Sequence, residues 1–271
     1  MSKLNMKLNK PLKDTFPREW RGKFKDKLDN VEFRNLIHFK QYVKSVTQRE
    51  DGNCGISYKQ ALEELLRGKP QLGNTDVEYI RNLVRKNLLK RGLITDEIYD
   101  RYKYATEGLT IDVGKYVEGD PECVLTPSHR YINHFYELYI SISYPYCVTN
   151  DKVIENCVKL LATIEELERQ HIFIKVTLVF ADNGPTKNRD KDMFMSIPLF
   201  SHRDKKTIET MSSVVNDRLL RKFTFALLGD LYEDDLSDSY GNAMDLSNTI
   251  NLGDDLNEIE LFTEIQKCSR R

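Results

Sequence analysis

Residues 135–143 read Phe-Tyr-Glu-Leu-Tyr-Ile-Ser-Ile-Ser. A short loop containing Pro145 follows, and residues 150–169 read Asn-Asp-Lys-Val-Ile-Glu-Asn-Cys-Val-Lys-Leu-Leu-Ala-Thr-Ile-Glu-Glu-Leu-Glu-Arg. Residues 171–182 then read His-Ile-Phe-Ile-Lys-Val-Thr-Leu-Val-Phe-Ala-Asp. The first run alternates and then turns apolar, which suits a central strand. In the second, Val153, Cys157, Leu160, Leu161, Ile164 and Leu167 recur at helical spacing, and Thr149 or Asn150 can cap the start. The third is a β-branched and aromatic run, the pattern of a strand in a parallel sheet covered on both faces. Strand, helix, strand predicts a right-handed crossover and an α/β fold.

Downstream, residues 193–200 read as a third strand, with Pro198 expected at an edge or a strand end. Residues 203–232 read as helix in one or two pieces. Residues 229–264 hold 11 Asp and Glu and no Lys or Arg. Leu246, Ile250, Leu252, Leu256, Ile259, Phe262 and Ile265 interrupt those charges, so the segment is expected to fold back on the domain as a helix or an extended strip.

Upstream the spacing predicts helices over 31–49, 58–67, 77–90 and 96–105. Ser57 is the cap expected for the second, and Thr75 or Asp76 for the third, which Gly92 closes. The fourth carries Tyr99, Tyr102 and Tyr104. Gly108, Gly114, Gly119, Pro121 and Pro127 make 107–130 loop-like. The expected organisation is a basic helical region (1–106), an α/β core (107–232) and an acidic C-terminal segment (233–271).

The chain has 271 residues, 40% of them hydrophobic and 31% charged, a globular composition. Without an apolar stretch of the roughly 18 residues that span a bilayer, and without a secretory signal pattern at the start, a soluble cytoplasmic protein with no membrane partner is expected. Its five cysteines (Cys54, Cys123, Cys147, Cys157, Cys268) are widely spaced, which argues against a disulfide framework or a zinc site. The net charge of -1 conceals segregation: residues 1–91 carry 21 Lys and Arg against 11 Asp and Glu. In the first 30 residues Phe16, Trp20 and Phe24 fall on one helical face among Lys7, Lys10, Arg18, Arg21 and Lys23. That pattern fits an amphipathic helix docking its rings on the domain. A cationic arm whose rings stack on nucleic acid is the second reading, and it is compatible with the first. Helix 77–90 places Arg81, Arg85 and Lys86 on its outer side, either a solvated face or a phosphate-contacting one.

Glycine-rich phosphate cradles, a nucleophile elbow and the His-Glu-x-x-His zinc pattern are all missing from the sequence. No acid, base and nucleophile set assembles, so no enzyme activity, cofactor or metal is expected. Polar groups do gather after the strands, where open α/β sheets bind ligands: Ser141, Ser143, Thr149, Asn150 and Asp151, then Asp182, Asn183 and Thr186.

With Ile-Ser-Ile-Ser (140–143) ending the first strand and Phe-Ala-Asp (180–182) the second, the stretch resembles a von Willebrand A-type core. Three further runs are similar to a family of bacteriophage proteins: Ser-Tyr-Lys-Gln-Ala-Leu-Glu-Glu-Leu-Leu-Arg-Gly (57–68), Gly-Asp-Pro-Glu-Cys (119–123) and Leu-Leu-Arg-Lys-Phe-Thr-Phe-Ala-Leu-Leu (219–228). The resemblance implies a von Willebrand A-like or Rossmann-like, mostly parallel sheet with flanking helices behind a helical N-terminal region. The A-type metal motif is Asp-x-Ser-x-Ser, and here Tyr139 stands where its aspartate would be, with Ser141 and Ser143 matching. The implied role is that of a phage accessory protein in the host cytoplasm. It would bind single-stranded or melted DNA through Lys7, Lys10, Arg18, Trp20, Arg21, Lys23, Arg81, Arg85 and Lys86, and recruit an RNA polymerase or another DNA-processing partner. The alternative is a metal-free von Willebrand A-like protein–protein adaptor that does not bind nucleic acid.

Overall fold

The computed structural model describes residues 28–45, 57–67, 72, 75–94, 102–106, 110–127, 134–142, 148–182, 192–215, 222–224, 227 and 249–269. The quoted stretch folds as read. Strand β5 (His134–Ser141) and strand β6 (Ile172–Asp182) pair in parallel, and helix α5 (Asn150–Arg169) joins them. Thr149 caps α5 through its side chain, which accepts from the Lys152 amide. The helix turns into β6 through His171, whose φ of 63° is the left-handed conformation that histidine tolerates better than most residues.

Five strands make the main sheet, in the order β1-β7-β6-β5-β8. Three of the four pairings are parallel; β6 and β7 (Asp192–Phe200) run antiparallel. Strand β7 is interior, not an edge. Pro198 is tolerated there because it lies past Ser196, the last residue paired to β1, and close to a register shift against β6. The first and the last described strands both join this sheet. Strand β1 (Leu28–Glu32) lines one edge and β8 (Thr249–Asn251) the other, so described parts of all three expected regions share one sheet and one core.

Several local readings change. The described part of the helix expected over 31–49, residues 31–45, is strand, turn and helix. Val31 and Phe33 are buried and Glu32 and Arg34 exposed, a period of two. Helix α1 (Leu36–Ser45) starts only after Asn35, whose side chain accepts from the His38 amide at 2.9 Å. Of the helix expected over 96–105, residues 96–101 lie outside the described residues and Tyr102–Ala105 form a strand, β2. The loop expected over 107–130 is a small element: β3 (Thr110–Ile111), helix α4 (Val113–Val117) and β4 (Val124–Pro127), with β4 between β2 and β3 in a separate three-stranded antiparallel sheet.

The helices pack where their apolar stripes demand. Helix α2 (Tyr58–Arg67) carries a capping box: Ser57 Oγ accepts from the Gln60 amide and Gln60 Oε1 accepts from the Ser57 amide. Helix α3 (Val77–Lys90) is capped by Asp76 and closed by Gly92 at φ 66°, with Gly92 and Leu93 amides returned to Leu89 and Leu88. Helix α5 is the centre, with Val153, Cys157, Leu160, Leu161, Ile164 and Leu167 all buried against one face of the sheet. Around it lie α3, α6 (Ile208–Val215) and α7 (Glu258–Ser269).

The acidic segment does fold back. Its described part supplies β8 and α7, and buries Leu252, Phe262 and Ile265. Asn156, fully buried on α5, grips it by donating from Nδ2 to the carbonyls of Leu252 (2.8 Å) and Asp254 (2.6 Å). Lys152 pairs with Asp255, and Asn87 donates to Glu258 at 2.8 Å. Lys152 thus neutralises one carboxylate of the acid run, and Asn87 hydrogen-bonds another.

Candidate nucleic-acid interface

Two of the three expected cations on α3 are held in ion pairs and only partly exposed. The spacing that puts Ile80, Val84 and Leu88 in the core leaves Arg81 and Arg85 on the adjoining stripe, against α5. Arg81 pairs with Glu78 (3.2 Å) and Glu165 (3.0 Å). Arg85 pairs with Glu166 at 2.8 Å, and Glu166, only 9% exposed, also takes Arg169 at 3.1 Å. Burial outweighs Arg81 at Glu165 and raises its carboxyl above the ordinary range. These arginines tie two helices together, each with about a third of its side chain still exposed (31% and 33%), and Lys86 is the exposed one of the three. Lys7, Lys10, Arg18, Trp20, Arg21 and Lys23 lie outside the described residues.

Arg85→Gln is therefore expected to cost roughly 1.5–3 kcal/mol of stability, the range for a hydrogen bond to a charged group, and to leave nucleic-acid affinity unchanged. Urea unfolding and an oligonucleotide titration on the same variant check both halves.

A different surface carries the features a nucleic-acid site needs. In-register residues of parallel β5 and β6 share a face, and alternation gives that face to Phe135, Glu137 and Tyr139 on β5 and to Phe173, Lys175 and Thr177 on β6. The helices cover the opposite face, where Leu138, Ile140, Ile174, Val176 and Leu178 are buried. Phe135 is 63% exposed. Its ring stacks on Phe173, with centroids 5.9 Å apart and planes 29° apart. His202 meets Phe135 edge-on at 5.1 Å, and His171 meets Phe173 at 6.5 Å. The face is open only at this end, since Thr177, Val179 and Ala181 further along it are buried, and there it presents an exposed ring backed by a second ring.

The next row is polar. Lys175 and Glu137 form an ion pair at 2.6 Å, each about a third exposed (34% and 35%). Thr177 Oγ1 donates to the same carboxylate at 3.2 Å. Tyr139 is half-buried, and burial, reinforced by the Glu137 charge it hydrogen-bonds, pushes its phenol well above the ordinary range. Tyr139 thus lies within a hydrogen-bonded cluster at the position of the missing aspartate. Ser141 is buried and Ser143 lies outside the described residues. Among the described residues no group of three or more His, Cys, Asp or Glu side chains could hold a metal ion. Of the polar groups expected after the strands, Thr149 is engaged in capping α5.

The turn after β7 completes the patch. Asp204 accepts from the Ser201 amide at 2.7 Å, and that bond holds its carboxyl below the ordinary range. Lys206 is buried, with a side chain only 2% exposed. Its ammonium meets Glu168 at 2.6 Å and donates to the carbonyls of Ser201 (3.2 Å) and Asp204 (3.1 Å). All three of its protons are used, so the turn is fixed to the end of α5. The fixed turn carries His202 against Phe135 and leaves Arg203 and Lys205 exposed beside it. None of these patch residues was singled out as a contact by sequence reasoning.

The chain belongs to the family described as Domain of unknown function (DUF7192), which matches residues 18–266. Neither a curated protein nor a solved structure matches it. Among the described residues no helix is long and apolar enough to cross a membrane.

Proposed function

We propose that this member of the DUF7192 family binds single-stranded nucleic acid, DNA in the first instance, on the open end of its main sheet. The observation that carries the reading is the stacked pair Phe135–Phe173, its outer ring 63% exposed, beside two exposed cations. Unpaired bases offer a flat apolar face at every position, and aromatic side chains on an open surface take them up with little sequence preference. Duplex DNA hides those faces in its own stack, so the platform discriminates against it. Arg203 and Lys205 supply the phosphate contacts, and Lys175 lies one row along the same face. Recruitment of an RNA polymerase or another DNA-processing partner stays part of the proposal, supported by the resemblance of residues 57–68, 119–123 and 219–228 to a phage family.

Fluorescence anisotropy of a labelled oligothymidine and of a duplex, each over a salt series, tests the reading. The single strand is expected to bind more tightly. Single-strand affinity falls as salt rises with a log–log slope of about -0.7 per phosphate contact. Arg203 and Lys205 alone give a slope of roughly -1.4, and joining Lys7, Lys10, Arg18, Arg21 and Lys23 steepens it to roughly -5. Equal affinity for the duplex, or no binding of the single strand at low salt, rules the reading out.

A further inference from the structure

Among the described residues, two exposed apolar faces away from the Phe135 rings carry opposite charges. The first is on the small element. Val113, Tyr116 and Val117 fall on one side of α4 and are 71%, 64% and 78% exposed, and Ile111 beside them is 54% exposed. No residue of α4 is buried. Asp112 caps this helix and Lys115 is paired with Asp120 at 3.2 Å, which leaves Glu118 and Glu122 as an exposed acidic rim. The second face is on α3. Tyr79 and Leu83, 64% and 37% exposed, lie in line with Lys86 and Lys90 at i, i+4, i+7 and i+11, and Arg91 follows. Among the described residues neither Lys86, Lys90 and Arg91 nor Glu118 and Glu122 enter an ion pair.

An acid-rimmed apolar knob repels phosphate, which disfavours nucleic acid and anionic lipid as its occupant. It needs a protein surface with apolar side chains and a basic rim. The outer face of α3 is such a surface. Within one chain the two do not cover each other, since both are exposed. We propose that the protein self-associates head to tail, the α4 knob of one copy seating on the Tyr79–Leu83–Lys86–Lys90 face of a second copy. The interface joins two different patches, so each added copy presents a free knob and a free face, and assembly extends until a ring closes. The contact is small beside the roughly 800 Å² per partner of a standard stable interface, so association is weak, reversible and salt-sensitive. The inference does not depend on the nucleic-acid reading, because neither patch includes the Phe135 platform.

Sedimentation velocity over a rising concentration series at low salt reads the association directly. The wild type is expected to sediment faster as concentration rises, and added salt to reverse this. A knob variant, Val113→Asp with Val117→Asp, and a face variant, Lys86→Glu with Lys90→Glu, are each expected to stay single chains. All four positions are exposed, and circular dichroism of both variants checks the fold. An equimolar mixture of the two variants retains one intact knob and one intact face, so it is expected to form a two-chain species and nothing larger. A wild type that stays single at high micromolar concentration, a variant that still assembles, or a mixture that fails to pair overturns the proposal.

Discussion

Replacing Lys206 with methionine is expected to lower stability by about 3–5 kcal/mol, the range for removing one partner of a buried ion pair. The methionine fills a similar volume, so the loss is electrostatic and not a cavity effect. It strands two carbonyls, those of Ser201 and Asp204, and removes the counter-charge of Glu168. Glu168 is 25% exposed and retains some water, which places the expectation at the lower end of that range. Glu168→Gln keeps an oxygen acceptor for the ammonium and should cost less. Urea unfolding followed by circular dichroism reads both, and a loss below about 1 kcal/mol for the methionine variant would contradict a role for Lys206 in fixing the turn. The same variant loosens the segment that holds His202 against Phe135, so single-strand affinity should weaken even where the protein remains folded.

The crossover was legible because three independent signals agree in it: helical periodicity through Leu167, a cap at Thr149, and a β-branched run after His171. Strand β1 was not, because Val31 and Phe33 show only one cycle of alternation before Leu36 and Phe39 restart a helical period. Its pairing with β7, more than 160 positions away, is a tertiary decision that local pattern does not contain. The small sheet was hidden by its glycines and by strands of two to four residues. Arg81 and Arg85 show a different limit. A basic stripe reads the same whether it meets water or an acidic helix, and the usable signal was Glu165–Glu166 on a helix that had to pack against something. The aromatic platform stood in the quoted stretch itself. Phe135 and Phe173 share their strand phase with Glu137 and Lys175, and polar residues in that phase mark the sheet face as partly open. The reading of 172–181 as covered on both faces holds from Val176 to Val179, which are all buried, and misses only the Phe173 end.

The largest functional effect is expected from that pair. Alanine at Phe135 should weaken oligothymidine binding about tenfold, and alanine at both Phe135 and Phe173 about a hundredfold, since each stacked base is worth ~1–3 kcal/mol. The single substitution should hardly affect folding. Phe135 is 63% exposed, and what it loses inside the protein is two ring contacts, with Phe173 and with His202, each worth at most about 0.5–1.5 kcal/mol. Phe173 is more covered, so the double variant needs its unfolding midpoint measured beside its affinity. Phe135→Tyr separates stacking from mere bulk at the site: it keeps the ring and should keep the affinity, whereas Phe135→Leu keeps apolar area without a π-face and should resemble alanine. Arg203→Ala with Lys205→Ala should act otherwise, flattening the salt slope by roughly 1.4 and sparing what remains of the affinity at high salt. A double alanine variant that is folded and binds oligothymidine like the wild type would place the nucleic acid elsewhere, and the basic N-terminal residues would then have to carry it alone.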